Sequence, residues 1–252
     1  MKNLRIYSLL ICTLFIISCK KKTTTTTDSA VPTGTFVMHL HSNIDTNEVE
    51  AYDTIYSDLN GRKISLSMAQ MYISNIQLIK LDGTSYDISN STFLKVTEIE
   101  GYSFENIPVG NYKAIRFKVG LDASTNSLNP SSSSVLNNST MWFSNIVQPD
   151  GYVFMNVQGT VDTSAAMNIA PVAFSYKIGT NSNLVSIQMP DQNFSIIKNE
   201  QTLSHIIIDY SKILTGIELN QLNNLSINLA SENGNSTATI LKNNIPSMFI
   251  FE

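Results

Sequence analysis

The chain has 252 residues, 42% hydrophobic and 14% charged, with a formal net charge of −4. That length allows one domain with a sizeable core, and with no basic excess nucleic acid is excluded as an expected partner. The two cysteines and three histidines leave a short inventory for chemistry.

Residues 1–19 read as a lipoprotein signal peptide. Lys2 and Arg5 give a basic start, and the apolar run from Tyr7 to Ile17 is short for a bilayer span. It ends Ile16-Ile17-Ser18-Cys19, a lipobox-like sequence in which Cys19 is lipidated and becomes the new N-terminus. Cys12 lies in the removed segment, so the mature chain is expected to form no disulfide and no thiolate metal site. Residues 20–32, with three Lys and five consecutive Thr, cannot bury a core and form a disordered tether. The expected location is the cell envelope, anchored to a membrane through Cys19 on the outer-membrane or periplasmic side. Residues 33–252 are the folded domain.

From Thr33 onward the apolar pattern has mostly period 2. Phe36, Met38 and Leu40 alternate with Val37, His39 and His41, as on a half-buried strand. Residues 45–53 read as a polar loop. Lys63 to Ser67 and Met71 to Leu81 are strands, the second ending at the hairpin signal Asp82-Gly83. Weaker strands follow at Phe93 to Ile99 and Gly101 to Phe104. The turn Ile107 to Asn111 feeds a strand over Tyr112 to Gly120, and residues 121–138 form a polar loop. Further strands cover 151–159, 172–178, 184–189, 203–210 and 225–230. A helical turn is expected near Ser211 to Leu214, and a short C-terminal helix over Ser236 to Asn243. Many short strands with polar loops predict an all-β fold, an antiparallel β-sandwich of Greek-key type closed by that helix.

His39 and His41 carry the sharpest chemical signal. Two residues apart on a strand, they share one face with Cα atoms roughly 6.5–7 Å apart. Both imidazoles can converge on one ion, and neutral imidazole suits copper and zinc. Two exposed histidines on a solvated edge strand have the same spacing. His205, alternating with Ile207, reads as a lone structural or solvent-facing histidine. Asp122 and Asn126 could hold calcium, but such residues more often cap turns. Thr140-Met141-Trp142-Phe143 holds the only Trp, ahead of the turn Pro149-Asp150-Gly151. It is either a core plug or the wall of a soft-metal site. No phosphate loop, dinucleotide fingerprint, paired-Cys motif or nucleophile elbow is present, so an enzyme is not expected.

Several blocks in order resemble the MbnP-like family of copper-binding proteins. They are Phe36 to His41, Tyr72-Ile73-Ser74-Asn75-Ile76, Pro108-Val109-Gly110-Asn111-Tyr112 and Ile115 to Asp122 with Asn126. Met141-Trp142, then Gly151-Tyr152-Val153-Phe154 with Gly159, and Phe174 to Gly179 complete the set. The resemblance implies an extracytoplasmic β-sandwich that binds copper through histidines near a Trp. That Trp is oxidisable by a partner di-haem peroxidase. Carried onto this chain, His39 or His41 is a ligand, Trp142 the oxidisable ring and Met141 a soft contact for Cu(I). The chain departs from the pattern in having one Trp, with Asn145 near the second Trp position. Lys177 stands where a second His is expected, and an ammonium repels a cation. The alternative function is a metal-free surface module that stacks exposed aromatics such as Tyr152 or Trp142 on a glycan, peptide or protein partner.

Overall fold

A computed structural model describes residues 31–143, 150–166 and 171–252. The expected signal peptide with Cys19, residues 20–30 of the expected tether, and Asn145 lie outside the described residues. In chain order the strands are β1 (Thr33–Ile44), β2 (Asn47–Glu48), β3 (Tyr56–Ser57), β4 (Lys63–Lys80), β5 (Ser85–Asp87), β6 (Phe93–Lys95), β7 (Gly101–Pro108) and β8 (Gly110–Val119). They continue with β9 (Val153–Val161), β10 (Val172–Gly179), β11 (Val185–Gln188), β12 (Phe194–Ile196), β13 (Gln201–Asp209), β14 (Ser226–Ile227) and β15 (Phe249–Phe251). A one-turn helix α1 (Ala123–Asn126) and the helix α2 (Ser236–Asn244) complete the regular elements used below. No helix among the described residues is long and apolar enough to cross a membrane.

Two sheets form the all-β sandwich. The smaller runs β15-β13-β1, and both β7 and β2 pair with the other edge of β1. The larger runs β11-β8-β4-β9-β10-β14, with β3, β5 and β6 pairing along β4 and β12 along β8. Most pairs are antiparallel, as expected, but β1 pairs β13 in parallel and β10 pairs β14 in parallel. The β1–β13 pairing joins segments more than 150 residues apart, so no hairpin signal announces it. Residues 45–53, expected as loop, include the short strand β2.

Alternation decides which face each residue takes. On β1, Phe36, Met38 and Leu40 are wholly buried, and Ile206 and Ile208 of β13 join them. Met71 and Ile73 of β4, Met155 and Val157 of β9, and Phe174, Tyr176 and Ile178 of β10 fill the same core from the larger sheet. Each such side chain contributes roughly 1.5–3 kcal/mol by leaving water. Gly159 of β9 lies against the backbone of β4. A Cβ there would sit 1.9 Å from the Ser65 carbonyl oxygen, so no side chain fits. Asp209 at the end of β13 accepts the Asp45 N–H at 2.8 Å, tying the end of β1 to β13.

Two smaller expectations also resolve. Asp122 is the cap of α1, accepting the Thr125 N–H, and the Asn126 oxygen accepts the Tyr152 N–H. These side chains do turn and strand work, and the hydrogen bonds to Asp122 hold its carboxyl below the usual range. The C-terminal helix appears as α2, capped by Asn235 on the Ala238 N–H.

Candidate metal centre

The site is built on β1 because β1 has a neighbour on each edge. Its inward residues are apolar, so Val37, His39 and His41 stand on the outward face of the smaller sheet. The parallel register sets His39 opposite His205 of β13. On the other edge, the Leu40 N–H donates to the Glu100 carbonyl at 2.9 Å, and Asn43 pairs with Glu48 of β2. Beyond β13, the Glu252 N–H donates to the His205 carbonyl at 3.3 Å. Five chain segments thus bring three imidazoles and three carboxylates to one outward surface.

His39 Nδ1 lies 2.9 Å from His41 Nε2, so a shared proton or a cation must separate their lone pairs. The His39 and His205 ring centres are 4.8 Å apart, and those of His41 and His205 5.9 Å. One donor nitrogen from each of the three histidines lies within 4.8 Å of the other two. His39 and His41 are mostly covered, with 26% and 18% of their side chains exposed, while His205 is 45% exposed. The centre therefore opens to solvent on the His205 side.

Carboxylates surround the rings. His39 Nε2 is 3.5 Å from a Glu100 oxygen. His41 Nδ1 is 3.4 Å from Glu48 and 3.6 Å from Glu100. Glu252 lies 3.3 Å from His205 Nδ1 and 3.6 Å from His41 Nε2. Carboxylates beside the far ring nitrogens are the usual way to fix the tautomer of ligating histidines. Four nitrogens or oxygens around a tetrahedral ion at 2.0–2.1 Å are about 3.4 Å from one another. The 2.9 Å between His39 Nδ1 and His41 Nε2 and the 3.6 Å between His41 Nε2 and Glu252 bracket that value, and the third imidazole lies within 4.8 Å, so the group is of a size to hold one metal ion.

Beneath the carboxylates lies Lys95, wholly buried at the end of β6. Its ammonium donates to the carbonyls of Val96 at 2.6 Å and Ile99 at 2.9 Å. Burial pushes its pKa down to about 8, against the pull of Glu100 and Glu98 in the other direction. These bonds brace the turn that delivers Glu100 to the imidazoles.

The structure brings His39 and His41 together as their spacing implies, and it corrects the reading of His205 as a lone histidine. The sequence does not single out Glu48, Glu100 and Glu252, and it reads His205 as structural or solvent-facing rather than as a ligand. Their only signal is the outward phase of His205 opposite Ile206 and Ile208, which has meaning once β13 is known to lie beside β1.

Met141 and Trp142 belong to a different face. On β4 and β9, Tyr72 and Phe154 point away from the main core, and they form a second apolar cluster with Leu121, Met141, Tyr152 and Val153. Trp142 packs against this cluster, bridges to Tyr152 and donates its indole N–H to the Leu136 carbonyl at 3.2 Å. Tyr72 and Tyr152 similarly donate to the carbonyls of Val135 and Leu128. Three aromatic tips thus pin the loop over 128–136 to the outward face of the larger sheet. Lys177 alternates outward on β10 and pairs with Asn156, on that same face. Both sheets and the core between them separate this face from the imidazoles. Tyr152, read as an exposed aromatic, is wholly buried.

Comparison with known proteins agrees with this architecture. The family model for MbnP matches residues 33–233. No curated protein sequence matches. The solved structure of MbnP from Methylosinus trichosporium superposes with a TM-score of 0.52 at 12% identity, covering 75% of this chain and 80% of that one. At that identity the superposition speaks for the fold, while the family-model match spans most of the domain. The chain belongs to the MbnP family.

Proposed function

We propose that this protein binds a copper ion on the outward face of its smaller sheet through His39, His41 and His205, with Glu252 as a fourth donor. The observation that supports this best is the approach of three imidazole donors within 4.8 Å, from two strands whose pairing is fixed by the core behind them. Imidazole nitrogen suits copper and zinc, and among divalent first-row ions copper binds such sites most tightly. Once bound, copper supplies a one-electron redox couple. The protein's own part is to hold the rings in place: Glu48 and Glu100 face His41 Nδ1, and Glu100 also faces His39 Nε2. We read the molecule as a binding protein of the cell envelope, anchored through a lipidated Cys19, rather than as an enzyme. A di-haem peroxidase partner acting on Trp142 rests on the family resemblance alone. An unchanged Trp142 mass after incubation with such a peroxidase removes it.

The test is quantitative metal analysis of protein expressed into the periplasm. Stoichiometric copper in the wild type, lost in a His39→Ala, His41→Ala variant, supports the reading. Unchanged uptake in that variant, or a metal-free wild type with a ligand that survives chelator, overturns it.

A further inference from the structure

His41 has two ring nitrogens, and they face two different donor sets. Nε2 faces His39 Nδ1 at 2.9 Å and Glu252 at 3.6 Å, on the side of the three-histidine group. Nδ1 faces Glu48 at 3.4 Å and Glu100 at 3.6 Å. This second group, His41, Glu48 and Glu100, has its own three donor atoms within 4.8 Å of one another.

The second group also opens onto space. A cavity of about 390 Å³ adjoins it, lined by Glu48, Glu50, Glu98 and Glu100 together with Tyr52 and Thr97. Among the described residues, the ion pairs of Glu48 and Glu100 are with imidazoles. The one buried ammonium nearby, Lys95, spends its hydrogen bonds on the carbonyls of Val96 and Ile99. Among the described residues no lysine or arginine pairs these carboxylates at contact distance, so the cavity wall is rich in carboxylate charge. A surface cleft lined by charge of one sign concentrates ions of the opposite sign.

We propose that the centre holds two cations side by side, bridged by the His41 ring. One sits in the nitrogen-rich position of His39, His41 and His205, and the other in the oxygen-rich position of His41, Glu48 and Glu100. The proposal rests on the metal-binding reading above and deepens it. The two positions differ in preference. Three imidazoles favour copper, whereas one nitrogen and two carboxylates accept a harder divalent ion such as zinc or manganese. With an ion in each position, the His41 ring would give up its N–H proton to water and offer Nε2 to one ion and Nδ1 to the other. Coordination by a deprotonated ligand with release of its proton is the general pattern for metal sites. The carboxylate cavity provides the access route to the second position.

The experiment is a titration of the full folded domain with Cu(II), and with Zn(II) after one equivalent of Cu(II). Stoichiometry is read by equilibrium dialysis and coupling between coppers by electron paramagnetic resonance. Two equivalents in the wild type, the second at least tenfold weaker and accompanied by signal loss from copper–copper coupling, support the proposal. The isosteric Glu48→Gln, Glu100→Gln variant should lose the second equivalent outright, while the first persists with affinity lowered about 10–100-fold because the same carboxylates orient its imidazoles. A wild type that binds one equivalent, with the Gln variant only weakening that single ion, overturns it and makes the carboxylates orienting groups. A Gln variant that still takes two equivalents also overturns it. A wild type that binds none defeats the metal-binding reading itself.

Discussion

On the outward face of the smaller sheet, β1 and β13 present three histidines ringed by glutamates. On the outward face of the larger sheet, β4 and β9 present Tyr72 and Phe154, covered by Met141, Trp142 and the loop over 128–136. Both faces lie on the same core, but β1 alternates through its histidines, whereas the β9–β10 register shifts at Phe154 and Val153 and Phe154 join the same cluster. The difference is in how each face meets water. The histidine face leaves its rings partly exposed and pairs them with carboxylates. The aromatic face turns each polar tip to a backbone carbonyl and excludes water. A soft side chain such as Met141, with no exposed surface, is then packing material rather than an open ligand.

Changes on one face should leave the other untouched, and this separation is open to direct attack. The largest effect is expected from Met141→Ala. Removing a wholly buried Met costs about 2–5 kcal/mol, read as a lower urea midpoint, while copper affinity stays at the wild-type value. A parallel loss of copper binding without unfolding would join the two faces and break the comparison.

Lys95 underpins the histidine face and gives it a pH signature. Its ordinary value of 10.5 falls to about 8 in the folded chain because of burial. Between those values the unfolded chain binds the extra proton, so stability rises as pH rises through that window. The gain approaches about 3 kcal/mol if the shift is fully expressed. Lys95→Met should lose this rise, seen by chemical denaturation at pH 7.5 and 10.5. An equal slope in wild type and variant would show that the ammonium is not buried as the structure has it.

Glu252→Gln sharpens the picture of the imidazole shell. As the proposed fourth donor, Glu252 should matter at least as much as an outer carboxylate, whose loss typically lowers metal affinity about 10–100-fold. Competition with a chelator measures this, and an unchanged constant would remove Glu252 from the centre. The smallest effect is that of Trp142→Phe, which deletes the hydrogen bond to Leu136 and should cost about 0.5–1.5 kcal/mol. Copper affinity should not move.

Much of the fold was legible because it follows from alternation. Phe36, Met38 and Leu40 against His39 and His41 gave both the strand and the shared face of the two rings. The short helix was readable from its composition and the proline beyond it. What alternation cannot state is which strands lie side by side. His205 sits 166 residues from His39 in sequence, and only the parallel register of β1 and β13 makes them neighbours. Glu48, Glu100 and Glu252 depend on the same pairing and on the edges of β1. The placement of Trp142 follows from β9, where Phe154 and Met155 point to opposite sides. The resemblance puts Trp142 near a histidine ligand, and the position where it implies a second His is Lys177, on the outward face of the larger sheet opposite Asn156.

The central claim is that three imidazoles from two distant strands hold one ion. Pulsed electron paramagnetic resonance on protein loaded with one equivalent of Cu(II) counts the coordinated imidazoles. Three in the wild type and two in His205→Ala are predicted. Two in both, or a count that falls in Trp142→Phe, would contradict the account.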